Sequence, residues 1–492
     1  MKKRPFLCIE LLNAFSKKEI ADLVHFVSCP CFNKDECMSG LLKSLRRYAL
    51  DGKEFDEERQ CTVYEKTFTH KAAPQTTLSK NQRSFLNAKM NILIHLAERF
   101  LAMQALEDNV SYRCELLYDT LLKRQQYWLL NRHLKKHKKK LSQQKEKDTA
   151  YYAHQSKVEQ STLNYLHHSG QLTQEDNLAD LIRSVDMNYL LHKLNLQITV
   201  LSMKNVFGEK EYDLSSMTAM NDLLDLPQYA KQPLVILYRA NVALMEAASD
   251  ETHFNLLNLL EQYESVMPLS VLKDFYSTAI NHCTAQIRLG KSDYIKNVFD
   301  LYKIMDTKNL LIDNGFISKS NLKNIVTAAC RAQEFTWAEK AVERYRQYLR
   351  RSIRDSVCHF NLGVIAFYQK DYEAAHDRFI QADRIDKIHD INIRVLILKS
   401  LYEKEKDYSD PTMQAFRSAH KYFKGNKSLA AKIRTGYTNF IQILINLYQL
   451  RHNVNATKAN AKRIKEKLDA QKLNSDKRWL LEKLEELERK IK

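Results

Sequence analysis

The sequence predicts an all-α protein: an α-solenoid of antiparallel helix hairpins behind an N-terminal helical unit. Three observations carry that expectation. Glycine and proline together number 16 of 492 residues, against roughly 12% in ordinary proteins, which argues against a turn-rich β architecture. Apolar residues recur at helical spacing from one end of the chain to the other. The helix starts and stops can also be named from their capping residues. On this reading the chain divides into an N-terminal helical domain (1–107), divergent helical-hairpin repeats (108–310), a more regular repeat array (311–450) and C-terminal capping helices (451–492).

Ser16, Lys17, Lys18 and Glu19 form a capping box, in which serine and glutamate satisfy N–H groups that a first helical turn leaves unpaired. Phe15 and Ile20 flank it as a hydrophobic staple. Ile20, Leu23, Val24 and Val27 follow at helical spacing until Pro30 stops the pattern. Ser79 and Gln82 repeat the device ahead of Leu86, Met90, Leu93, Ala97 and Phe100. Between these helices Cys61–Tyr64 alternates briefly; as a strand it would make the unit a winged-helix variant, and the alternation is too short to decide. From Asp176 to Phe207 an apolar stripe runs through Leu178, Leu181, Val185, Leu190, Leu194, Ile198 and Leu201, as one helix or two, closed by Gly208 as a left-handed C-cap. Pro227 and Pro233 separate it from an apolar helix around Leu234 to Leu244, and Pro268 marks the next break. Near the end, Trp479, Leu480, Leu484, Leu487 and Ile491 form a stripe after a helix start at Asn474–Asp476. That pattern is too short for a zipper and is expected to cover the end of the stack.

Internal similarity sharpens the second half. Ser356 to Asp386 places Leu362, Gly363, Tyr372, Ala375, Phe379 and Ala382 where a helix hairpin packs. The small Gly363, Ala375 and Ala382 let two helices approach, while Leu362 and Phe379 fill the space between hairpins. This stretch resembles the tetratricopeptide repeat family. It departs from the family at His359 and Ala366, where aromatics are usual, and at Lys387, where proline is usual. One repeat earlier Ile325, Ala338 and Tyr345 fall near the same places, with Thr336 to Glu339 capping the second helix. Gly290, Tyr294, Phe299 and Tyr302 give a weaker copy. Repeat starts at Tyr276, Lys319, Ser356 and Asp390 are spaced 43, 37 and 34 residues, an irregular array. Through Phe15 to Glu19, Cys31 to Lys34 and Val206 to Gly208, the whole chain also resembles a group of uncharacterised Bacteroidota-type helical proteins with divergent tetratricopeptide-like repeats. That likeness bears on fold and implies no activity.

Several function classes fall away. The nine glycines never lie closer than eleven residues apart, which excludes a dinucleotide fingerprint and a phosphate-cradling P-loop. No His-Glu-x-x-His motif, Gly-x-Ser-x-Gly elbow or dense carboxylate cluster occurs, so no enzyme, cofactor or metal is expected. Nine cysteines, an odd number without framework spacing, indicate reduced thiols. Cys29, Cys31, Cys37 and Cys61 do not match zinc spacings and are read as core cysteines. Glu10 and Asn13 interrupt the start as a secretory signal. The apolar run from Phe440 to Leu450 is shorter than the roughly eighteen residues that span a bilayer. A cytoplasmic protein with no membrane or small-molecule partner is expected.

The net charge of +18 has an address. Residues 120–145 hold nine lysines and arginines and no acid, and residues 411–465 hold eleven and no acid, leaving 57 cations against 59 acids elsewhere. In the first tract Arg132, Lys135, Lys136, Lys138, Lys139 and Lys140 are candidate polyanion contacts, on a helix or in a hairpin loop. His133 and His137 among them are read as part of a solvated basic face. In the second tract Lys421, Lys424, Lys432 and Arg434 interleave with Tyr422, Phe423 and Tyr437, a pattern that suits nucleic acid if the rings are free and a helical surface if they turn inward.

The repeats offer a different site. Resemblance to tetratricopeptide arrays implies that the first helix of each hairpin lines a concave groove for a peptide. The groove-facing candidates are Lys323, Asn324, Thr327 and Arg331 in one repeat and Val357, Phe360, Asn361, Val364 and Phe367 in the next. Lys323 and Asn361 stand where some family members clamp a terminal carboxylate, but Thr327, Ile391 and Val395 do not supply the usual partners. The other reading is that these side chains pack on a neighbouring helix of the same chain. The expected function is a non-enzymatic scaffold whose groove binds a protein or peptide. The alternative is a nucleic-acid- or ribosome-associated protein, or a repeat-containing transcriptional regulator, that uses the basic tracts.

Overall fold

A computed structural model of the chain describes residues 7–51, 55–69, 77–171, 177–207 and 215–491. Every regular element among them is helical, and the one β feature is an isolated bridge between Asp313 and Phe316. The chain folds as two compact units, Met1–Lys145 with Thr149–Tyr189, and Glu146–Asp148 with Leu190–Lys492.

The first unit opens with α1 (Leu7–Asn13), α2 (Lys17–Ser28), α3 (Cys37–Asp51), α4 (Glu57–Tyr64) and α5 (Lys80–Asp108). Both expected capping boxes form. The Ser16 hydroxyl accepts from the Glu19 N–H at 3.2 Å while the Glu19 carboxylate accepts from the Ser16 N–H at 2.7 Å, and Ser79 and Gln82 exchange the same pair of bonds. Phe15 and Ile20 enter a core with Leu23, Leu41, Met90, Leu93 and Phe100. Cys61–Tyr64 is helical, which corrects the strand reading and with it the winged-helix alternative. Asp56 caps α4 by accepting from the Arg59 N–H at 3.0 Å, and the helix widens into a π turn over Glu65–Thr69. The short alternation belongs to a helical stripe whose next ring, Phe68, lies 5.4 Å from Tyr64. Beyond it α6 (Val110–Lys123), α7 (Tyr127–Ser142) and α8 (Thr149–His168) pack on one another. Of the two readings left open, α9 (Leu178–Phe207) is a single helix, and the division between units falls inside it. Gly208, its expected cap, lies outside the described residues, as does Asp176.

In the second unit three one-turn helices, α10 (Ser215–Thr218), α11 (Asn221–Leu224) and α12 (Pro227–Ala230), precede α13 (Pro233–Ala247), α14 (Asp250–Tyr263), α15 (Leu269–Arg288) and α16 (Tyr294–Thr307). Then come α17 (Lys319–Arg331), α18 (Phe335–Arg346), α19 (Arg354–Tyr368), α20 (Tyr372–Ile380), α21 (Lys387–Lys404), α22 (Asp410–Gly425), α23 (Ala431–Arg451), α24 (Lys458–Ala470) and α25 (Lys477–Lys490). Helices pack on their chain neighbours, and alternate ones also meet, α13 with α15 and α17 with α19. Lys319 opens α17 as expected and Ser356 and Asp390 fall in the first turns of α19 and α21, whereas Tyr276 lies inside α15.

One turn recurs at the links between helices. At Gln125, Gly170, Gly290, Asn309, Gln333 and Lys370 the backbone enters the left-handed region. The next N–H then reaches the carbonyl five residues back, as in Gln126 to Leu121, Leu310 to Met305, Glu334 to Ala329 and Asp371 to Ala366. The turn at Gln333 starts α18 at Phe335, so Thr336 lies within the helix and the expected side-chain cap is not made. Within the hairpin α19 and α20 come so close that a Cβ on Gly363 would stand 2.7 Å from the Phe379 ring. Leu480, Leu484 and Leu487 are buried in α25, which packs on α23 and α24. Cys8, Cys61 and Cys114 are buried in the first unit and Cys283, Cys330 and Cys358 in the second, all as free thiols; of the four cysteines expected in the core only Cys61 is there, since Cys29 is half-buried and Cys31 and Cys37, on the segment between α2 and α3 and at the first residue of α3, are exposed. Among the described residues no His, Cys, Asp or Glu cluster is arranged for a metal ion, and no helix is long and apolar enough to cross a membrane.

Candidate functional site

Alternate helices of the second unit each give one face to a groove of about 510 Å³. Asn281, Thr284 and Arg288 come from α15, Lys323, Asn324, Thr327 and Arg331 from α17, and Phe360, Val364 and Tyr368 from α19. Their spacing of one, three or four residues within each helix keeps each set on one side of its helix. Val395 and Lys399 of α21 and Asp476 before α25 also line it, with Ile295, Val298 and Tyr302 of α16 and Tyr437 of α23. A second hollow of about 610 Å³ shares Ile287, Arg331, Tyr368, Leu396, Lys399 and Asp476 with the first and adds Phe335, Phe367 and Trp479, so the two run into one groove.

The groove is basic over an apolar floor. Phe360 and Val364 are nearly covered, at 2% and 5% exposure, and form that floor. Beneath it His389 packs 4.9 Å from the Phe360 ring. Burial, helped by Lys319 and Lys323, pushes its pKa down to about 4. Asp476 is the only carboxylate lining the first hollow among the described residues, and it is bonded to the buried Lys399, whose ammonium also lies 4.8 Å from the Trp479 ring centre. Arg288 and Lys323 have no ion-pair partner among the described residues. Burial alone pushes the Lys323 ammonium below the usual lysine range. Arg331 is exposed, and its Nε donates to the Tyr368 hydroxyl at 3.5 Å. A cation held half out of water without a counter-charge favours an anionic group brought to it.

Of the nine groove residues named from sequence, Lys323, Asn324, Thr327, Arg331, Phe360 and Val364 line the first hollow and Phe367 the second. Asn361 does not take part: it is fully buried and its side-chain amide donates back to the Val357 carbonyl at 2.8 Å. Val357 is core as well. Sequence reasoning missed Arg288, Tyr368, Lys399 and Asp476. Carrying the three-and-four spacing of α17 back to α15 would have found Arg288; the other end of the groove depends on a contact between residues 77 positions apart.

The dense run of the first basic tract, Arg132 to Lys140, lies on α7, not in a loop. Leu130, Leu134, His137 and Leu141 form its buried side. His137 is therefore not on the solvated face. The Tyr118 hydroxyl bonds its Nδ1, the Cys114 thiol lies 3.5 Å from its Nε2, and burial followed by His154, His133 and nearby lysines lowers its pKa. Lys138 turns the same way and pairs at 2.6 Å with the buried carboxylate of Glu159. Arg132, Lys135, Lys136, Lys139 and Lys140 are exposed and have no ion-pair partner among the described residues.

The second tract differs. Lys421, Lys424 and Lys432 are exposed and Arg434 is half-buried, but the rings between them serve the fold. Phe423 is fully buried and stacks on Tyr437 with centres 5.2 Å apart. Tyr422 donates to Asp390 at 2.9 Å beneath the Arg394 guanidinium. No protein family, curated protein or solved structure matches the chain.

Proposed function

We propose that the second unit is a non-enzymatic scaffold, an α-solenoid of tetratricopeptide-like hairpins, whose inner groove holds an extended or helical segment of a partner protein that carries acidic residues. The supporting observation is the groove wall itself: alternate helices present Arg288, Lys323 and Arg331, none of them with an ion-pair partner among the described residues, above a floor of Phe360 and Val364. Such a wall recognises side chains along a peptide rather than a reacting atom. α25 then covers the last hairpin, as a capping element does in a stacked array.

The test reverses charge without touching the floor, since replacing the buried Phe360 would test folding. Lys323→Glu and Arg331→Glu should each weaken binding of acidic peptides from a random display library by tenfold or more, and Phe367→Ala should add to the loss, with the circular dichroism spectrum unchanged. A library that selects no acidic sequences, or selected peptides that bind the reversed variants equally well, would sink the proposal. A second reading, polyanion binding by the basic tracts, is supported at α7 by Arg132, Lys135, Lys136, Lys139 and Lys140, which have no ion-pair partner among the described residues, and loses support at residues 411–465, where Phe423 stacks on Tyr437 in the fold and Tyr422 is bonded to Asp390.

A further inference from the structure

The outer side of α7 carries more than charge. Trp128, Arg132, Lys135 and Lys139 follow one another at intervals of four, three and four residues, which places them on one line along the helix. The line lies opposite Leu130, Leu134, His137 and Leu141, the buried side. Trp128 is 67% exposed. Among the described residues its indole meets no other ring and no cation. At about 1.5 Å per residue the cations stand roughly 4.5–6 Å apart along the axis. Lys123 and Arg124, both exposed, continue the basic surface past Trp128. Beside the line, between α6 and α7, lies a hollow of about 630 Å³ whose wall includes Arg113, His133, Lys136, Lys139 and Lys140 and no carboxylate.

We propose that this face of α7 binds single-stranded nucleic acid, with Trp128 stacking on a base while Arg132, Lys135 and Lys139 hold successive phosphates. This goes beyond the groove reading and rests on a different unit. A ring flanked by cations is the arrangement that binds a strand whose bases are free to stack; a duplex offers its bases to an indole only after unstacking. A membrane surface fits less well. An interfacial helix sinks an apolar side into lipid, and the apolar side of α7 is already used against its neighbours, leaving Trp128 alone outside. An acidic protein would satisfy the cations and leave the indole without a planar partner.

The test uses the full chain and fluorescein-labelled oligothymidylate in anisotropy titrations at several salt concentrations, with poly-glutamate and phosphatidylserine vesicles as competitors. The expected result is binding at 50 mM salt that weakens steeply as salt rises. Trp128→Ala should lower affinity about tenfold and leave the salt dependence as it was, since stacking carries no counterions. Arg132→Ser, Lys135→Ser and Lys139→Ser together should flatten the slope of log affinity against log salt by about 2, at about 0.7 per phosphate contact. These side chains are exposed, so the variants keep the fold. Absence of binding at 50 mM salt overturns the proposal. So does affinity indifferent to Trp128, or poly-glutamate or vesicles competing as well as unlabelled oligonucleotide; those outcomes assign the face to anions in general or to lipid.

Discussion

Replacing Gly363 with alanine probes the closest approach within the second unit. In a helix interior that change alone gains about 1 kcal/mol, because alanine is the better helix former. At Gly363 the added methyl meets three carbons of the Phe379 ring at 2.7, 2.8 and 3.1 Å. Phe379 has no exposed surface, so its ring cannot swing into water. Relief requires α19 and α20 to part or the ring to leave its rotamer, and overpacking of this kind costs about 1–3 kcal/mol, occasionally more. Two contacts under 3 Å place the site at the upper end, for a net loss of about 2 kcal/mol. Gly425, at the end of α22, is the control: nothing lies within 4 Å of its Cβ position. There the same substitution should be neutral or stabilise by up to about 1 kcal/mol. The unfolded chain contributes alike at both positions, so the difference isolates the ring contact. Amide hydrogen exchange in α19 and α20 reads it locally and does not require all 492 residues to unfold in one step. A loss of about 2 kcal/mol is roughly a 30-fold increase in exchange rate. Phe379→Leu in the alanine background should recover part of it. Exchange as slow as in the unmodified protein, or no recovery, would refute the reasoning.

Burial holds His253, beside His282, and His389 at a pKa of about 4, below the unfolded value near 6.5. Their contribution is therefore full above pH 6.5 and drains away as pH falls toward 4, by at most about 3 kcal/mol each; melting temperatures from pH 7 to 4.5 should fall, and less so in His389→Gln. Asp476→Asn should destabilise by about 2–3 kcal/mol, under the usual range for a broken buried pair because Asp476 is 38% exposed, while Lys399→Met should be near neutral in the same urea titration. Lys370→Gly should raise stability by about 0.5–1 kcal/mol, since glycine relieves the left-handed backbone at φ 66°; a drop would show that the turn is not strained.

Local chemistry was the readable part of the fold. Both capping boxes depend on residues a few positions apart and form as expected, and Phe15 and Ile20 beside the first are both buried in one core. Cys61 and Val63 misled because two alternating positions fit a strand and a helix equally, and Asp56, the cap that decides, stands outside the alternation. The hairpin turns were hidden for another reason: Gln125, Asn309, Gln333 and Lys370 adopt a backbone that glycine usually announces. His137 sits among lysines in sequence, yet its spacing to Leu130, Leu134 and Leu141 marks the buried side once α7 is phased. At the groove, the register of α17 was legible from one helix. The register of α19 was too from Phe360 to Phe367, except at Asn361, which turns back on its own backbone, while Val357 before it enters the core. The rings of the second tract needed the fold, because a lysine–aromatic alternation looks the same whether the rings face water or core.

The six enclosed cysteines make the chain its own reporter. Burial pushes the thiols of Cys8, Cys283 and Cys330 up to about 12 and raises those of Cys61, Cys114 and Cys358 as well. Only a thiolate attacks an alkylating reagent, so each site is labelled when its surroundings breathe and not before. Three such sites stand in each unit. The order in which peptides gain the alkyl mass, followed over hours by mass spectrometry, would therefore show which half of the protein opens first, with no probe engineered into it.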